Sequence, residues 1–148
     1  MKKITAILFL ISLFTACLSQ KSSIQSVEPI EIITLRENSL DKFDSIQLVN
    51  DEIEYGKIVN QINVTRFPGI PFKTIDFINN SVVLINLDVK ESKFSFFEAI
   101  PKISNQNLLL QLKGQNHSLF DEFPKHIRFI HLIEIPKVKK IERVEIIP

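Results

Sequence analysis

The chain has 148 residues, of which 45% are hydrophobic and 24% are charged, a composition typical of one globular domain and unlike that of a mainly disordered chain. It carries 18 basic and 17 acidic side chains, so it has no field of one sign that would recruit nucleic acid, and no nucleic-acid partner is expected. Three glycines and one cysteine exclude a collagen-like chain, an intrachain disulfide framework and a zinc–cysteine site.

The N-terminus combines a basic start with a short apolar run. Lys2 and Lys3 precede the segment from Ile4 to Phe14, which is almost wholly apolar. A transmembrane helix needs about 20 consecutive apolar residues, and this run is shorter. The pattern is typical of a signal peptide, and it predicts that residues 1–16 are removed from the mature protein.

A single cysteine follows this segment. The small residues Thr15 and Ala16 stand directly before Cys17, and the sequence resembles the lipobox of bacterial lipoproteins, with Phe14 where that family usually has leucine. The resemblance implies cleavage before Cys17, acylation of this residue and a membrane anchor of acyl chains. The residues directly after Cys17 are Leu18 and Ser19 rather than aspartate, which favours the outer membrane of a bacterial cell envelope over the inner one. An ordinary secretory signal beside an accidental cysteine is the alternative.

A polar linker and the first strands come next. Residues 17–29 are rich in serine, glutamine and lysine, which predicts a lipidated cysteine followed by a flexible tether. Residues 30–148 suffice to bury one core and predict a single β-rich domain, expected to be monomeric. Within it, alternating residues predict strands over 30–35 and 46–49.

One segment has the periodicity of a helix. Asn50 can cap it, and Asp51 and Glu52 in the first turn suit the helix dipole. Four apolar residues then fall at positions i, i+3, i+4 and i+7, forming one stripe on a helix of three turns. They are Tyr55, Ile58, Val59 and Ile62. Gly56 lies inside this helix and costs it about 1 kcal/mol relative to alanine.

Three apolar patterns predict the middle strands. Residues 82–87 form a nearly continuous β-branched run, which indicates a central strand covered on both faces. Residues 94–97 predict a further strand that is limited by Pro101. Alternating leucines over 108–112 predict the next strand, which Gly114 closes with a turn.

The C-terminal part predicts two more strands. Odd-numbered apolar positions from Ile127 to Ile135 share one face of a long strand. A last strand is expected to divide its apolar residues between two sides, with Val144 and Ile146 on one side and Ile141 and Ile147 on the other.

These elements define a fold class. About seven strands are separated by turns, one helix is present and no period recurs along the chain. Strands do not alternate with helices, so a parallel doubly wound sheet is not expected. We therefore predict an α+β fold, mainly antiparallel β, that is either sandwich-like or a sheet with one packed helix.

Several elements in this order resemble the PrcB C-terminal domain family. They are the Ile46–Val49 strand, the helix at 51–62, the triplet Ile75-Asp76-Phe77, the strand at 82–87 and the Pro136-Lys137 turn before the last strand. The family includes lipoproteins described as subunits of protease complexes.

The resemblance covers residues 45–148, and one motif departs from it. Family members commonly have a threonine-glycine-glycine-tyrosine turn, whereas this chain has no glycine over 92–96. An activity that depends on a tight glycine loop is therefore not expected. The resemblance implies a non-catalytic accessory role, with a protease complex as the partner.

The chain has three histidines that could carry chemistry. His131 lies on the apolar face of its strand and is interpreted as a core histidine with its hydrogen bonds satisfied. His117 and His126 lie near Asp121 and Glu122, but their spacing matches no metal-ligand pattern. No metal site is predicted.

Catalytic motifs are absent from the sequence. It has no Gly-x-Ser-x-Gly elbow, no glycine-rich phosphate loop and no convergent pair of carboxylates. Asp76 is interpreted as the residue of a turn or cap rather than a general base. We expect no enzyme activity and no cofactor. A small envelope hydrolase, or a metal-binding protein with an unrecognised site, is the alternative, and a purely structural lipoprotein is a third.

An aromatic cluster is the candidate binding surface. It consists of Phe94, Phe96, Phe97, Phe120 and Phe123. Phe96 and Phe97 are consecutive, so in a regular strand one of them meets a second layer or stands at the surface, where aromatic residues anchor partners. The segments 92–97 and 115–124 are therefore predicted to contact a protein partner in the envelope. The function predicted from the sequence is that of a membrane-anchored, non-catalytic binding domain.

Overall fold

The computed structural model describes residues 23–37, 43–64, 66–88, 94–116 and 128–147, with only the backbone described for 36–37, 94–97 and 115–116. These residues form eight strands and one helix. In chain order they are β1 (Gln25–Ser26), β2 (Ile30–Glu37), β3 (Ile46–Val49), α1 (Glu52–Val64), β4 (Asn80–Asp88), β5 (Phe94–Ser104), β6 (Asn107–Asn116), β7 (Arg128–Pro136) and β8 (Lys140–Ile147).

The strands form two four-stranded sheets. Sheet A has the order β1-β5-β6-β8, and sheet B has the order β2-β7-β4-β3. All neighbouring strands are antiparallel except β6 and β8, which are parallel. The predicted α+β class, mainly antiparallel with one packed helix, is confirmed.

Two cores explain why the centre of sheet B is apolar on both faces. One lies between the sheets and contains Val83 and Ile85 of β4 with the even-numbered leucines of β6. The other lies between sheet B and α1 and contains Val82 and Leu84. The prediction that 82–87 is a central strand buried on both faces is confirmed, because successive residues of β4 alternate between these cores.

The helix forms where its apolar stripe predicts it. Tyr55, Ile58, Val59 and Ile62 are all buried against sheet B. The cap is Asp51 rather than Asn50, because the Asp51 carboxylate accepts the Glu54 N–H at 2.8 Å. The Asn50 side chain instead accepts the Ser81 hydroxyl at 2.6 Å.

The predicted ends of β5 and β6 are wrong. Pro101 lies inside β5, because its polar backbone atoms face away from β6 and its carbonyl accepts the Val27 N–H at 3.0 Å. Gly114 lies inside β6 and pairs with Phe97. The chain reverses instead at Asn105 and Gln106, which both have positive φ, as a two-residue hairpin turn requires.

The predicted division of β8 is wrong for Ile141, whereas Val144 and Ile146 share one side and Ile147 lies on the other, as predicted. Ile141 pairs with Leu108, Glu142 is skipped, and Val144 then pairs with Leu110. Residues that pair directly point to the same face of a sheet, so Ile141 and Val144 share the side that faces the core. The bulge at Glu142 shifts the alternation by one residue, which the sequence pattern does not reveal.

Part of the predicted tether belongs to sheet A. Gln25 and Ser26 pair with Ile103 and Lys102 of β5. This pairing ends at Val27, because Pro101 has no N–H to return a second hydrogen bond. The chain then crosses to sheet B, where β2 begins.

Candidate functional site

The connection between α1 and β4 exposes aromatic side chains to solvent. We call residues 67–72, Phe-Pro-Gly-Ile-Pro-Phe, the aromatic loop. Phe67 is fully exposed, Phe72 is half exposed, and Val64 at the adjoining end of α1 is also exposed. Clustered apolar side chains on a protein surface commonly mark a contact site.

The amide of Asn63 holds the middle of this loop. Its Nδ2 donates to the Ile70 carbonyl at 3.1 Å, and its Oδ1 accepts the Ile70 N–H at 2.7 Å. The pair of bonds imitates one rung of a β-ladder and joins the loop to the last turn of α1. Gly69 leaves room for it, since a Cβ there would lie 2.9 Å from Asn63 Cγ.

The far end of the loop is held by two further contacts. The Phe72 ring lies 5.1 Å from the Tyr55 ring between centroids, at a tilt of 53°. The next residue, Lys73, donates to the buried carboxylate of Glu134 at 2.8 Å. The other oxygen of Glu134 accepts the Asn80 side-chain amide at 2.7 Å. The loop therefore presents Phe67 on a braced support.

The surface predicted around the aromatic cluster is described only in its backbone. Phe94 pairs with Asn116 and Phe97 pairs with Gly114, so the described ends of the two predicted segments are neighbours in sheet A. One extra residue of β5 lies between these pairs, which interrupts the regular alternation on which the opposed directions of Phe96 and Phe97 depend. The side chains of Phe94, Phe96 and Phe97, and the whole of Phe120 and Phe123, lie outside the described residues.

His131 lies on the face of β7 that points between the sheets. Its burial is as predicted, but neither ring nitrogen has a hydrogen-bond partner among the described residues, so the histidine is not satisfied as expected. Its Nε2 lies 3.6 Å from an Oε2 of Glu31, and its ring meets Phe129 edge to face. Burial lowers the pKa of His131, and the charge of Glu31 opposes part of that effect.

Asp76 has the turn role that its sequence context indicates. Its carboxylate accepts the Ile78 N–H at 3.0 Å and the Asn79 side-chain amide at 2.8 Å. These hydrogen bonds, the one from Asn79 foremost, hold the pKa of Asp76 below its usual range. The carboxylate is engaged in an Asx turn on the surface.

A shallow groove on the outer face of sheet A is lined by polar side chains, three of which bind one another. Its volume is about 240 Å³. The Glu145 carboxylate in it accepts the Gln111 amide at 2.8 Å and pairs with Arg143 at 2.9 Å. Gln111, Glu145 and Arg143 are therefore engaged with one another, and Lys102 is the remaining charged residue of the lining.

Two further findings concern metals and membranes. Within the described ranges, no three His, Cys, Asp or Glu side chains are grouped so as to hold a metal ion. The only described helix, α1, is too short to cross a bilayer. His117 and His126, considered as ligands from the sequence, and the predicted lipidation residue Cys17 lie outside the described residues.

Comparisons with known proteins return nothing: no family model, curated protein or solved structure matches this chain. Pro68, Gly69 and Pro71 indicate a loop over residues 64–74, but the sequence does not distinguish this loop as a contact site. The feature that could have identified it is the placement of Phe67 and Phe72 among prolines and a glycine. In such a segment neither helical nor strand periodicity can assign an aromatic residue to a core.

Proposed function

We propose that this chain is a lipid-anchored binding domain of a bacterial envelope that holds a protein partner and carries out no turnover. The lipobox-like sequence at Cys17 supports the anchor. The family resemblance at 45–148 supports an accessory role in a protease complex. Among the described residues, the exposed aromatic loop supports the contact itself.

The braced exposure of Phe67 is the observation that carries this proposal. A large apolar side chain in water is unfavourable unless a partner covers it, and its burial would contribute about 1.5–3 kcal/mol to binding. The Asn63 clamp fixes the loop before binding, so little conformational entropy remains to be lost in the complex. Rigid aromatic anchors of this kind dominate the energetics of protein interfaces.

A protein partner suits this loop better than the lipid surface does. Loops that bind anionic membranes present cationic side chains beside their apolar ones. Two basic residues adjoin the loop: Arg66 directly precedes Phe67, and Lys73 is directed to the buried Glu134 carboxylate, while Asp76 adds a negative charge a few residues on. The partner is therefore expected to offer an apolar pocket for Phe67.

The predicted aromatic surface remains part of the proposal. Phe94, Phe96, Phe97, Phe120 and Phe123 are expected to form a second contact, at the end of the β5–β6 hairpin. The pairing of Phe94 with Asn116 makes the described ends of the two segments neighbours in sheet A. The two contacts can be tested separately, because the aromatic loop connects α1 to β4 of sheet B whereas β5 and β6 belong to sheet A.

Site-specific photocrosslinking in intact cells tests the loop. A benzophenone amino acid is placed at position 67 of the full chain, and at Ile53 as a control that is also exposed but lies in the first turn of α1. We expect one discrete protein adduct from position 67 and none of that mass from position 53. In a parallel copurification, Phe67→Ser should lose this partner while its melting temperature is unchanged, because Phe67 buries no surface in the domain.

Two results would contradict the proposal. Adducts of position 67 with phospholipid alone would assign the loop to the membrane. A Phe67→Ser variant that copurifies the partner as well as the wild type does would remove the loop from the interface. The same copurification with Phe97→Ala, scored together with its melting temperature, tests the second contact, where a loss of about 2 kcal/mol of binding is expected of an anchor.

A further inference from the structure

The last strand of sheet A has a free edge among the described residues. β8 stands at the end of the strand order, and β6 is the one described strand that pairs with it. On this strand Val144, Ile146 and Ile147 are 38%, 49% and 37% exposed. An edge strand that is long and exposes apolar side chains is a template for pairing with another chain.

The bulge at Glu142 sorts the side chains of β8 onto two faces. The face that points to the core carries three apolar residues, which pair with the buried leucines of β6. They are Ile141, Val144 and Ile146. The outer face carries Lys140, Arg143, Glu145 and Ile147. The Glu142 carboxylate itself accepts the Asn107 amide of β6 at 3.0 Å, so this side chain is directed back over sheet A and leaves the free edge accessible.

Apart from the bulged residue, β8 is complementary to itself. Its paired positions read Lys-Ile-Arg-Val-Glu-Ile-Ile, with Val144 in the middle. If a second copy of the strand runs antiparallel about Val144, Ile141 meets Ile146 on the core-facing side. In the same register Arg143 meets Glu145 on the outer side. Both pairings occur twice, since a two-fold interface repeats every contact. Apolar pairs and pairs of opposite charge stabilise neighbouring strands.

Other symmetric registers of the two strands are less favourable. An axis through Arg143 opposes two arginines, and an axis through Glu145 opposes two glutamates. Like charges directly opposite each other are destabilising, and each of these registers also leaves one end of the strand unpaired. The Arg143 side chain is 71% exposed and lies 2.9 Å from Glu145 of its own chain. A guanidinium has five N–H donors, so it can bind Glu145 of a second copy as well.

We propose that β8 pairs antiparallel with β8 of a second copy of this chain, about a two-fold axis through Val144. The two four-stranded A sheets then join into one continuous sheet, and the exposed apolar residues of both edges cover each other. This dimer departs from the monomer expected from the size of the domain, because size carries no information about an unpaired edge. It rests neither on the lipid anchor nor on the aromatic loop.

Introduced cysteines test the register in the purified full chain in non-ionic detergent, with copper–phenanthroline as the oxidant. Val144→Cys should give a disulfide-linked dimer, because opposed residues of antiparallel strands have Cα atoms about 4.5–5.5 Å apart, within disulfide reach. Arg143→Cys and Glu145→Cys should each give little dimer alone but a mixed dimer when combined. The background is set by the wild type, whose one cysteine is Cys17, and by Ile78→Cys, at a position that is 85% exposed before β4.

A charge exchange tests the ion pairs across the axis. Arg143→Glu opposes two acidic residues at both places and should weaken dimerisation about ten-fold, measured by sedimentation in density-matched detergent. Arg143→Glu/Glu145→Arg restores both pairs with their signs exchanged, and it should return the dissociation constant to within about two-fold of the wild-type value. Lys57→Glu reverses an exposed charge on α1 and should leave dimerisation unchanged. Equal circular dichroism spectra establish that each variant is folded.

Each measurement has an outcome that overturns the proposal. A wild-type chain that is folded and monomeric at every concentration would leave the edge of β8 to a strand of another protein. The register is wrong if Val144→Cys gives no more dimer than Ile78→Cys, or if the combined Arg143→Cys and Glu145→Cys chains give no mixed dimer. The ion pairs are refuted if the double charge exchange weakens dimerisation as much as Arg143→Glu does.

Discussion

The Asn63 clamp predicts an unusual dependence of one substitution on another. Gly69→Ala should destabilise the wild-type chain, because the added Cβ would lie 2.9 Å from Asn63 Cγ and Oδ1 and the amide must leave its place. In an Asn63→Ala background the obstacle is gone. No described glycine has positive φ, so alanine fits the backbone at position 69. There the same substitution should stabilise the fold.

The magnitudes follow from the two hydrogen bonds to Ile70, at 2.7 and 3.1 Å. Each contributes about 0.5–1.5 kcal/mol, so the loss of both costs about 1–3 kcal/mol. Alanine at position 63 recovers roughly 0.5 kcal/mol of helix propensity near the end of α1. Asn63→Ala should therefore cost about 0.5–2.5 kcal/mol. Gly69→Ala should cost a similar amount alone but contribute about 0.4–1 kcal/mol of stability in the Asn63→Ala background.

Urea unfolding of the wild type, both single variants and the double variant completes the cycle. Far-UV circular dichroism reports the whole fold. Fluorescence of Tyr55, the one tyrosine in a chain without tryptophan, reports the contact between α1 and the loop. If Gly69→Ala costs the same free energy in both backgrounds, the clamp does not explain the glycine and the reasoning fails.

Other substitutions test separate features. Gly56→Ala should raise the free energy of unfolding by about 1 kcal/mol, since its Cβ would lie at an ordinary 3.8 Å from the Phe72 ring; a lower melting temperature would contradict this. The lowered pKa of His131 means that the unfolded chain binds a proton first, so stability is retained above about pH 6.5 and lost as pH falls below it. His131→Gln should flatten that part of the melting-temperature profile, and an unchanged profile would exclude His131 as its cause. Cys17→Ser should abolish fatty-acid labelling of the chain, and persistent labelling would refute the lipobox interpretation.

Hydrophobic periodicity predicted burial correctly where the pattern within a single helix or strand determines which side chains are buried. The stripe from Tyr55 to Ile62 predicted which face of α1 is buried, and the run at 82–87 predicted a strand covered on both sides. Both patterns depend only on the repeat of the helix or strand and on the apolar side chains that follow it.

Prediction failed where a neighbouring strand decides the outcome. Pro101 is tolerated within β5 because its nitrogen, which carries no hydrogen, is on the side of the short strand β1. Which neighbouring strand a backbone nitrogen faces is determined by the pairing of the sheet. The bulge at Glu142 likewise depends on the register with β6. A proline or an alternation taken alone carries neither piece of information.

The candidate sites depend on contacts between separate elements. Phe67 was assignable to a loop, but its fixed exposure follows from Asn63, a helical residue whose amide reaches Ile70. The surroundings of His131 combine β2, β5 and β7, and the apolar neighbours on its own strand indicated only burial. The sequence pattern drew attention to His131 but not to Phe67, and it did not reveal which groups face either residue.

The position of β2 has a consequence for how the chain folds. Its one described neighbour is β7, and paired residues such as Ile30 and Glu134 lie about a hundred positions apart in sequence. Closing so long a segment costs loop entropy before any pairing energy is gained, so sheet B is expected to be completed late. Until β7 is available, β2 cannot join its sheet, and truncation before Arg128 would leave β4 without its central partner as well.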